Sequence, residues 1–332
     1  MAARRRGKKK SGRSYAWRYR GRIVACVFVE VIIICALVIM IGWNKGVKEW
    51  FEQFEQPVLK EVDISGINSP NAILMQARGG KILGEINGEA QIYPASMTKI
   101  MTVILGIENF DDLDEKITLT NEMFSGLYEQ DATQAGFQPG EEVRVIDLLY
   151  GAMLPSGAEC CIALADTISG SEADFAELMN KKAAKLGMDN THFCDSTGLH
   201  NPDHYSTVKD IAVLMKYCIK NDTFREIVET SRHSTGVTNI HPDGITYYST
   251  MFKNLSDPTV TGGKILGGKT GYTSEAGHCL VSFAEIEGRE YIFVSAGASG
   301  ADGNTIPHIQ DAVTVYNRVG AAIEAKMNDN NK

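Results

Sequence analysis

The sequence predicts an α+β fold: an antiparallel sheet flanked by helices, with a mostly helical subdomain inserted and one membrane-spanning helix ahead of it. Three observations carry that reading. Strand-like runs occur near residue 72 and again after 240, while the stretch between them is patterned as helices. That order is not the alternating β-α-β of a parallel sheet. Glycine-containing turns separate the paired strand runs, as hairpins require, and Ile23–Trp43 is apolar all round.

The N-terminal residues divide sharply. Residues 1–22 carry ten Lys or Arg and no acid. Removing these from the chain's 33 leaves 23 basic residues against 41 acidic ones. Ile23–Trp43 then holds 21 residues with a single charge, Glu30. As a helix it is about 31 Å long, close to a bilayer core. A buried globular helix is rarely apolar on every face. A secretory signal is the closer competitor, but the apolar run is long for one and no A-x-A site follows it. The reading is a basic cytoplasmic arm (1–22), an uncleaved anchor (23–43), and everything beyond outside the cell membrane, single-pass. Beside such a span the arm is a topology determinant that can touch anionic lipid, not a nucleic-acid contact. Glu30 is costly in that place.

Residues 44–70 follow as a juxtamembrane linker, and the domain proper runs over 71–320, its helical part about 120–240. "AILMQARGGKILGEI" reads as a hairpin turning at Ala77–Gly80. A helix opens near Ser96 and buries Ile100, Val103, Ile104 and Ile107 on one face. "VIDLLYGAML" breaks at Pro155, and "AECCIALADTI" follows a tight Ser156-Gly157 turn. "ADFAELMNKKAAKL" ends at Gly187, a C-cap. Ser206 or Thr207 with Asp210 starts "DIAVLMKYCI" as a capping box. "CLVSFAEI" and "EYIFVSAG" flank Glu287-Gly288-Arg289 as a second hairpin, and "IQDAVTVYNRVGAAIEA" closes the domain before a polar tail, 321–332. Cys26 and Cys35 lie in the span. Cys160, Cys161, Cys194, Cys218 and Cys279 form an odd set with no C-x-x-C, so neither a disulfide framework nor a zinc ribbon is indicated.

The chemistry begins at "PASMTK", where Lys99 follows Ser96 by three positions. By itself this is either an N-cap serine with an exposed lysine or a nucleophile with its base, because i and i+3 share a helix face. A neutral lysine could take the serine proton, and burial beside positive charge would favour that form. A serine at a helix N-terminus also has its own N–H and the helix dipole aimed at a developing oxyanion. Two later fragments bear on the choice: "PSGAE" with Ser156, and "GGKTGYT" with Lys269-Thr270-Gly271. Serine-x-x-lysine, a later serine turn and Lys-Thr-Gly, in that order, are the signature of active-site-serine penicillin-recognising enzymes.

From about Ala72 to Tyr316 the chain resembles the D-alanyl-D-alanine carboxypeptidases, the low-molecular-mass penicillin-binding proteins. The resemblance extends to "LMNKKAAKLGMDNTHF", "TGLHNPDHYSTVKDIAVL" and "GGKTGYTSEAGHCLVSFA". It implies a β-lactamase/transpeptidase-like fold and removal of the terminal D-alanine of a peptidoglycan stem pentapeptide through an acyl-enzyme on Ser96. Lys99 would be the base and Ser156 would relay a proton to the leaving amine. Lys269 and Thr270 would receive the terminal carboxylate. The N–H groups of Ser96 and Tyr272, beside Gly271, would form the oxyanion hole. β-Lactams would inhibit, and no cofactor or metal is implied.

The sequence departs from that family twice. The usual Ser-x-Asn is Ser156-Gly157-Ala158 here, which leaves open whether Glu159 or a water stands in for the amide. The arginine that relatives often carry after the final strands is missing, with His308 as a candidate substitute. Two rivals share much of this reading. A β-lactamase-like hydrolase would need a deacylating carboxylate, and Glu177 in "ELMN" has the wrong spacing. A non-catalytic peptidoglycan- or penicillin-binding protein finds its argument in Ala158. "GKILGGKT", Gly263 to Thr270, matches the phosphate-loop pattern but is followed by strand-like residues instead of the helix such a loop needs. His200 and His204 in "HNPDH" read as structural polar contacts, without a third metal ligand, and Cys160-Cys161 as packing.

Overall fold

The computed structural model describes residues 59–255, 257–300 and 306–330. The expected basic arm, the membrane span and most of the linker lie outside the described residues. Among the described residues no helix is long and apolar enough to cross a membrane.

The expected hairpin forms from Asn71–Gln76 (β1) and Ile82–Ile86 (β2). A 3₁₀ turn, Ala95–Thr98, leads into Lys99–Asn109 (α1). The inserted part continues through Lys116–Thr118 (β3), Glu142–Arg144 (β4), Val145–Met153 (α2), Ala158–Ser169 (α3), Glu172–Leu186 (α4), Val208–Cys218 (α5) and Asp222–Glu229 (α6). Arg232–Ser234 (β5) and Thr246–Tyr248 (β6) pair with each other, as β3 and β4 do. Thr259–Val260 (β7), Gly263–Thr273 (β8), Gly277–Ile286 (β9), Arg289–Ala298 (β10) and Pro307–Asn330 (α7) complete the domain.

The main sheet is antiparallel with order β2-β1-β10-β9-β8-β7. The N-terminal hairpin therefore joins the C-terminal strands directly, with Asn71 opposite Ala296 and Gln76 opposite Tyr291. Period-2 alternation sends two residue sets to opposite faces. Ile73, Met75, Val281, Phe283, Ile292 and Val294 pack beneath α1–α6, whereas Leu74, Leu280, Ala284, Ile286 and Phe293 meet α7.

Local chemistry explains the helix ends. Ser171 caps α4 by accepting from Asp174 N at 3.1 Å, and Gly187 ends it in the left-handed region. Of the two candidates for the start of α5, Thr207 is the cap, accepting from Asp210 N at 3.0 Å. Ser206 is instead bound into a bridge to Ile92. Two features differ from the sequence reading. The final helix runs through the expected polar tail to Asn330, because Ile323 is still buried on the sheet and Met327 packs beside it. The short pairs β3/β4 and β5/β6 were not anticipated, since three residues are too few to show alternation.

Candidate active site

Ser96 lies inside the 3₁₀ turn, and its hydroxyl caps no helix. Two neighbouring segments press on this turn through glycines. A Cβ on Gly198 would stand 1.9 Å from the Ala95 carbonyl oxygen, and one on Gly271 would stand 2.9 Å from Ser96 N. Only residues without a side chain let the chain pass there.

Lys99 is 3% exposed at the start of α1. Its Nζ donates to Ser96 Oγ at 3.0 Å and to the Thr197 carbonyl at 2.7 Å. Ser156, held at φ +74° in the turn before α3, donates from Oγ to Ser96 Oγ at 3.0 Å. Lys269 on β8 donates to Ser156 Oγ at 3.0 Å and to the Thr270 carbonyl at 2.9 Å. Lys99, Ser96, Ser156 and Lys269 thus form one continuous line. Burial pushes both amines below the ordinary lysine range, and Lys99 depresses Lys269 further. An amine held neutral keeps a lone pair that can take a hydroxyl proton.

This line opens on a cavity of about 440 Å³. Ser96, Ser156, Lys269, Thr270, Gly271 and Tyr272 line it, joined by Asp131, Thr133, Thr250, Asn254, His278, Ile306 and His308. Of the seven residues singled out from the sequence, six face the cavity and Lys99 is buried next to Ser96. Thr270 Oγ1 meets Thr250 Oγ1 at 2.6 Å, while Tyr272 is 61% exposed at the rim.

The two departures resolve differently. Ala158 is buried as the first residue of α3, and its N–H donates to the Thr133 carbonyl at 2.8 Å. Glu159 does not stand in for an amide in the cavity. Its Oε1 turns to the 132–136 loop, accepting from Ala135 N at 2.6 Å and Gly136 N at 2.9 Å. Burial pushes that carboxyl up. His308 does reach the cavity, stacked on His278 with centroids 5.0 Å apart. Burial, and then His278, bring it to about 4, so at neutral pH it offers no fixed positive charge.

The rival signals fall elsewhere. Glu177 is exposed on α4, ion-paired with Lys181 at 3.5 Å. "GKILGGKT" is strand β8, with no helix behind it. Cys161 is buried and pushed up to about 12 by that burial, and all five cysteines of the described residues are free. His200 packs edge-on to Tyr93, and His204 sits between Thr98 and Asp195. Among the described residues no group of three His, Cys, Asp or Glu is placed to hold a metal. Sequence reasoning missed the stretch around Thr197, whose carbonyl receives the Lys99 amine. "TGLHNPDHYSTV" signalled only likeness, because its contribution is made by a backbone atom.

A family model described as D-alanyl-D-alanine carboxypeptidase matches residues 58–300. The D-alanyl-D-alanine carboxypeptidase DacF of Bacillus subtilis is 35% identical over 231 residues, 69% of this chain and 57% of that protein. The D-alanyl-D-alanine carboxypeptidase of Streptomyces sp. K15 is 35% identical over 69% of this chain and 78% of its own. The crystal structure of the Streptomyces K15 DD-transpeptidase superposes with a TM-score of 0.69 at 29% identity, covering 79% of this chain and 100% of that one. The match to DacF, like that to DacC of Escherichia coli at 58%, thus spans little more than half of the relative's length.

Proposed function

The chain belongs to the D-alanyl-D-alanine carboxypeptidase family, and from that premise we propose that it removes the terminal D-alanine of peptidoglycan stem pentapeptides. The observation that carries the reading is the unbroken line Lys99–Ser96–Ser156–Lys269, each step 3.0 Å, with both amines depressed by burial.

Lys99 takes the Ser96 proton as Oγ attacks the carbonyl of the penultimate D-alanine. The tetrahedral oxyanion falls to the N–H groups of Ser96 and Tyr272, and each such donor is typically worth about 3–4 kcal/mol. Ser156, bonded to both Ser96 and Lys269, passes a proton to the leaving amine, and D-alanine departs. Water then hydrolyses the acyl-ester. The substrate's terminal carboxylate belongs at Lys269 and Thr270. There it would keep the proton on Lys269, leaving Lys99 neutral for its task. A β-lactam offers Ser96 an equivalent carbonyl and would acylate it.

The test is incubation with a muramyl pentapeptide and with fluorescent penicillin. D-Alanine release and an adduct on Ser96, both lost in Ser96→Ala, are expected. An adduct on any other residue in intact-protein and peptide mass spectrometry would overturn the assignment. The second proposal is that Ile23–Trp43 anchors this domain outside the membrane, supported by its hydropathy and the ten basic residues before it. Deleting residues 1–45 should then yield a soluble, active enzyme. A mature N-terminus beyond Trp43 in cells would contradict it.

A further inference from the structure

A second set of buried polar groups stands against Lys99, outside the cavity. Thr98 Oγ1 lies 2.9 Å from His204 Nε2, and His204 Nδ1 lies 3.1 Å from Asp195 Oδ2. The other Asp195 oxygen gathers three donors: Thr197 N at 2.7 Å, Thr197 Oγ1 at 2.8 Å and Gly198 N at 2.7 Å. A hydroxyl, an imidazole and a carboxylate in that order are the parts of a nucleophile triad. Here the threonine is 0% exposed and the histidine 2%, so no substrate can reach the hydroxyl. Whatever the set does, it does through its neighbours. Those are Lys99, which follows Thr98 in the chain, and the Thr197 carbonyl, which receives the lysine's amine at 2.7 Å.

We propose that Asp195 and His204 are a positioning pair that sets the Lys99 amine against Ser96. This rests on the reading of Lys99 as the base. A carbonyl directs an amine only if its own peptide is fixed. Asp195 fixes that peptide from both sides, through Thr197 N and Gly198 N, and locks the Thr197 side chain as well. Gly198, at φ +81°, brings the same segment against the Ala95 carbonyl. The His204 ring joins Asp195 to Thr98, with Nδ1 facing Asp195 and the Cys194 N–H at 3.2 Å and Nε2 facing Thr98. The backbone that carries Lys99 and the acceptor that aims it are therefore referenced to one carboxylate.

The pair also has an electrostatic signature. The groups that act on the Lys99 amine are Cys161, Asp195, Glu159 and Cys160, and Lys99 in turn repels Lys269. Burial keeps both thiols neutral and raises Glu159. Burial would raise Asp195 too, but the hydrogen bonds of His204, Thr197 and Gly198 bring it to about 2. Its negative charge favours the protonated amine. Removing that charge must lower the pH at which Lys99 becomes neutral.

The experiment measures the rate of Ser96 acylation by fluorescent penicillin on the full chain, across the range where carboxyls and lysines titrate, about pH 4 to 10.5. A misplacement of about 1 Å can cost on the order of a hundredfold. Asp195→Asn should therefore slow acylation by about tenfold to a hundredfold, with the adduct still on Ser96 and the acid limb moved to lower pH. An acid limb that stays in place, whatever the rate, overturns the proposal. Thr98→Val keeps the shape and removes only the bond to His204, and serves if the first variant does not fold. Its acylation step should slow by about threefold to tenfold with penicillin affinity unchanged. A wild-type acylation rate in folded Thr98→Val also overturns it. Failure of the wild-type chain to be labelled on Ser96 would instead sink the parent reading.

Discussion

The two faces of the six-stranded sheet are built to different ends. On one, Ile309, Ala312, Val315, Tyr316, Val319 and Ile323 of α7 cover an apolar surface. Two polar groups buried there are tied to neighbours, Asp311 to Asn68 and Ser69, and Tyr316 to Ser282 and the Phe293 N–H. On the other face the helices enclose Lys99, Lys269, Glu159 and Asp195, all but Asp195 less than 4% exposed. Burying a cation costs free energy unless it is well paired. The helical face accepts that cost, whereas among the described residues the α7 face buries no lysine. Reactivity and stability are thus separated across one sheet.

The largest expected effect tests that separation directly. Lys99→Met keeps an unbranched chain and removes the buried amine. Acylation of Ser96 should fall by about a thousandfold, within the range of a lost general base, while Tm holds or rises. The sign of the pH effect follows from the depressed amine. Between its folded value and the ordinary lysine value the unfolded chain binds more protons, so its contribution to stability rises with pH there. Lys99→Met should flatten that slope in thermal melts. A clear fall in Tm would show that the amine's hydrogen bonds outweigh its burial.

Glu159 comes next. Glu159→Ala leaves the Ala135 and Gly136 N–H groups without their acceptor, at about 1–3 kcal/mol for two part-buried donors, and loosens the wall that carries Asp131 and Thr133. Glu159→Gln keeps an acceptor and removes the charge. Because burial raises this carboxyl, its contribution is present below the ordinary glutamate value of about 4.3 and is lost as pH rises through the folded value. Glutamine should therefore gain on wild type as pH rises from about 4.3, read as the difference in Tm. Equal pH dependence of the two proteins would contradict the buried-carboxyl picture.

Ala158→Asn should cost about 1–3 kcal/mol by overpacking, since Ala158 is 1% exposed. Acylation should fall with it, and a tenfold rise in kcat/KM would show that the amide is simply missing from this site. The smallest effect lies on the opposite face. Tyr316→Phe removes two hydrogen bonds of 3.1 Å and should lower stability by about 1–2 kcal/mol with acylation unchanged. A matching loss of acylation would mean the faces are coupled and the comparison fails.

How far the sequence could be read depends on how local each cause is. Gly187 and Thr207 mark helix ends because a cap acts within one turn. The hairpins at Arg78 and Gly288 show because a tight turn and alternating strands are adjacent in the chain. Ser96 and Lys99 were legible together because three residues on a helical turn bring both side chains to one side. The line beyond them was legible only through resemblance, since nothing local says that Ser156 meets Ser96. The role of Glu159 stayed open for the same reason, because its partners are backbone groups some two dozen residues earlier in the chain.

By itself, then, the sequence determined the order of elements, the pairing of terminal strands around a helical insertion, and the hydroxyl and amine one turn apart. These follow from periodicities of two and 3.6 residues, which every local stretch displays. Tertiary structure alone decided what surrounds the amine. Ser156 reaches Ser96 across 60 residues, Lys269 reaches Ser156 across 113, and Lys99 finds the Thr197 carbonyl across 98. Burial that depresses an amine, and a carboxylate that aims a carbonyl, are properties of packed neighbours, and no short stretch of chain contains them.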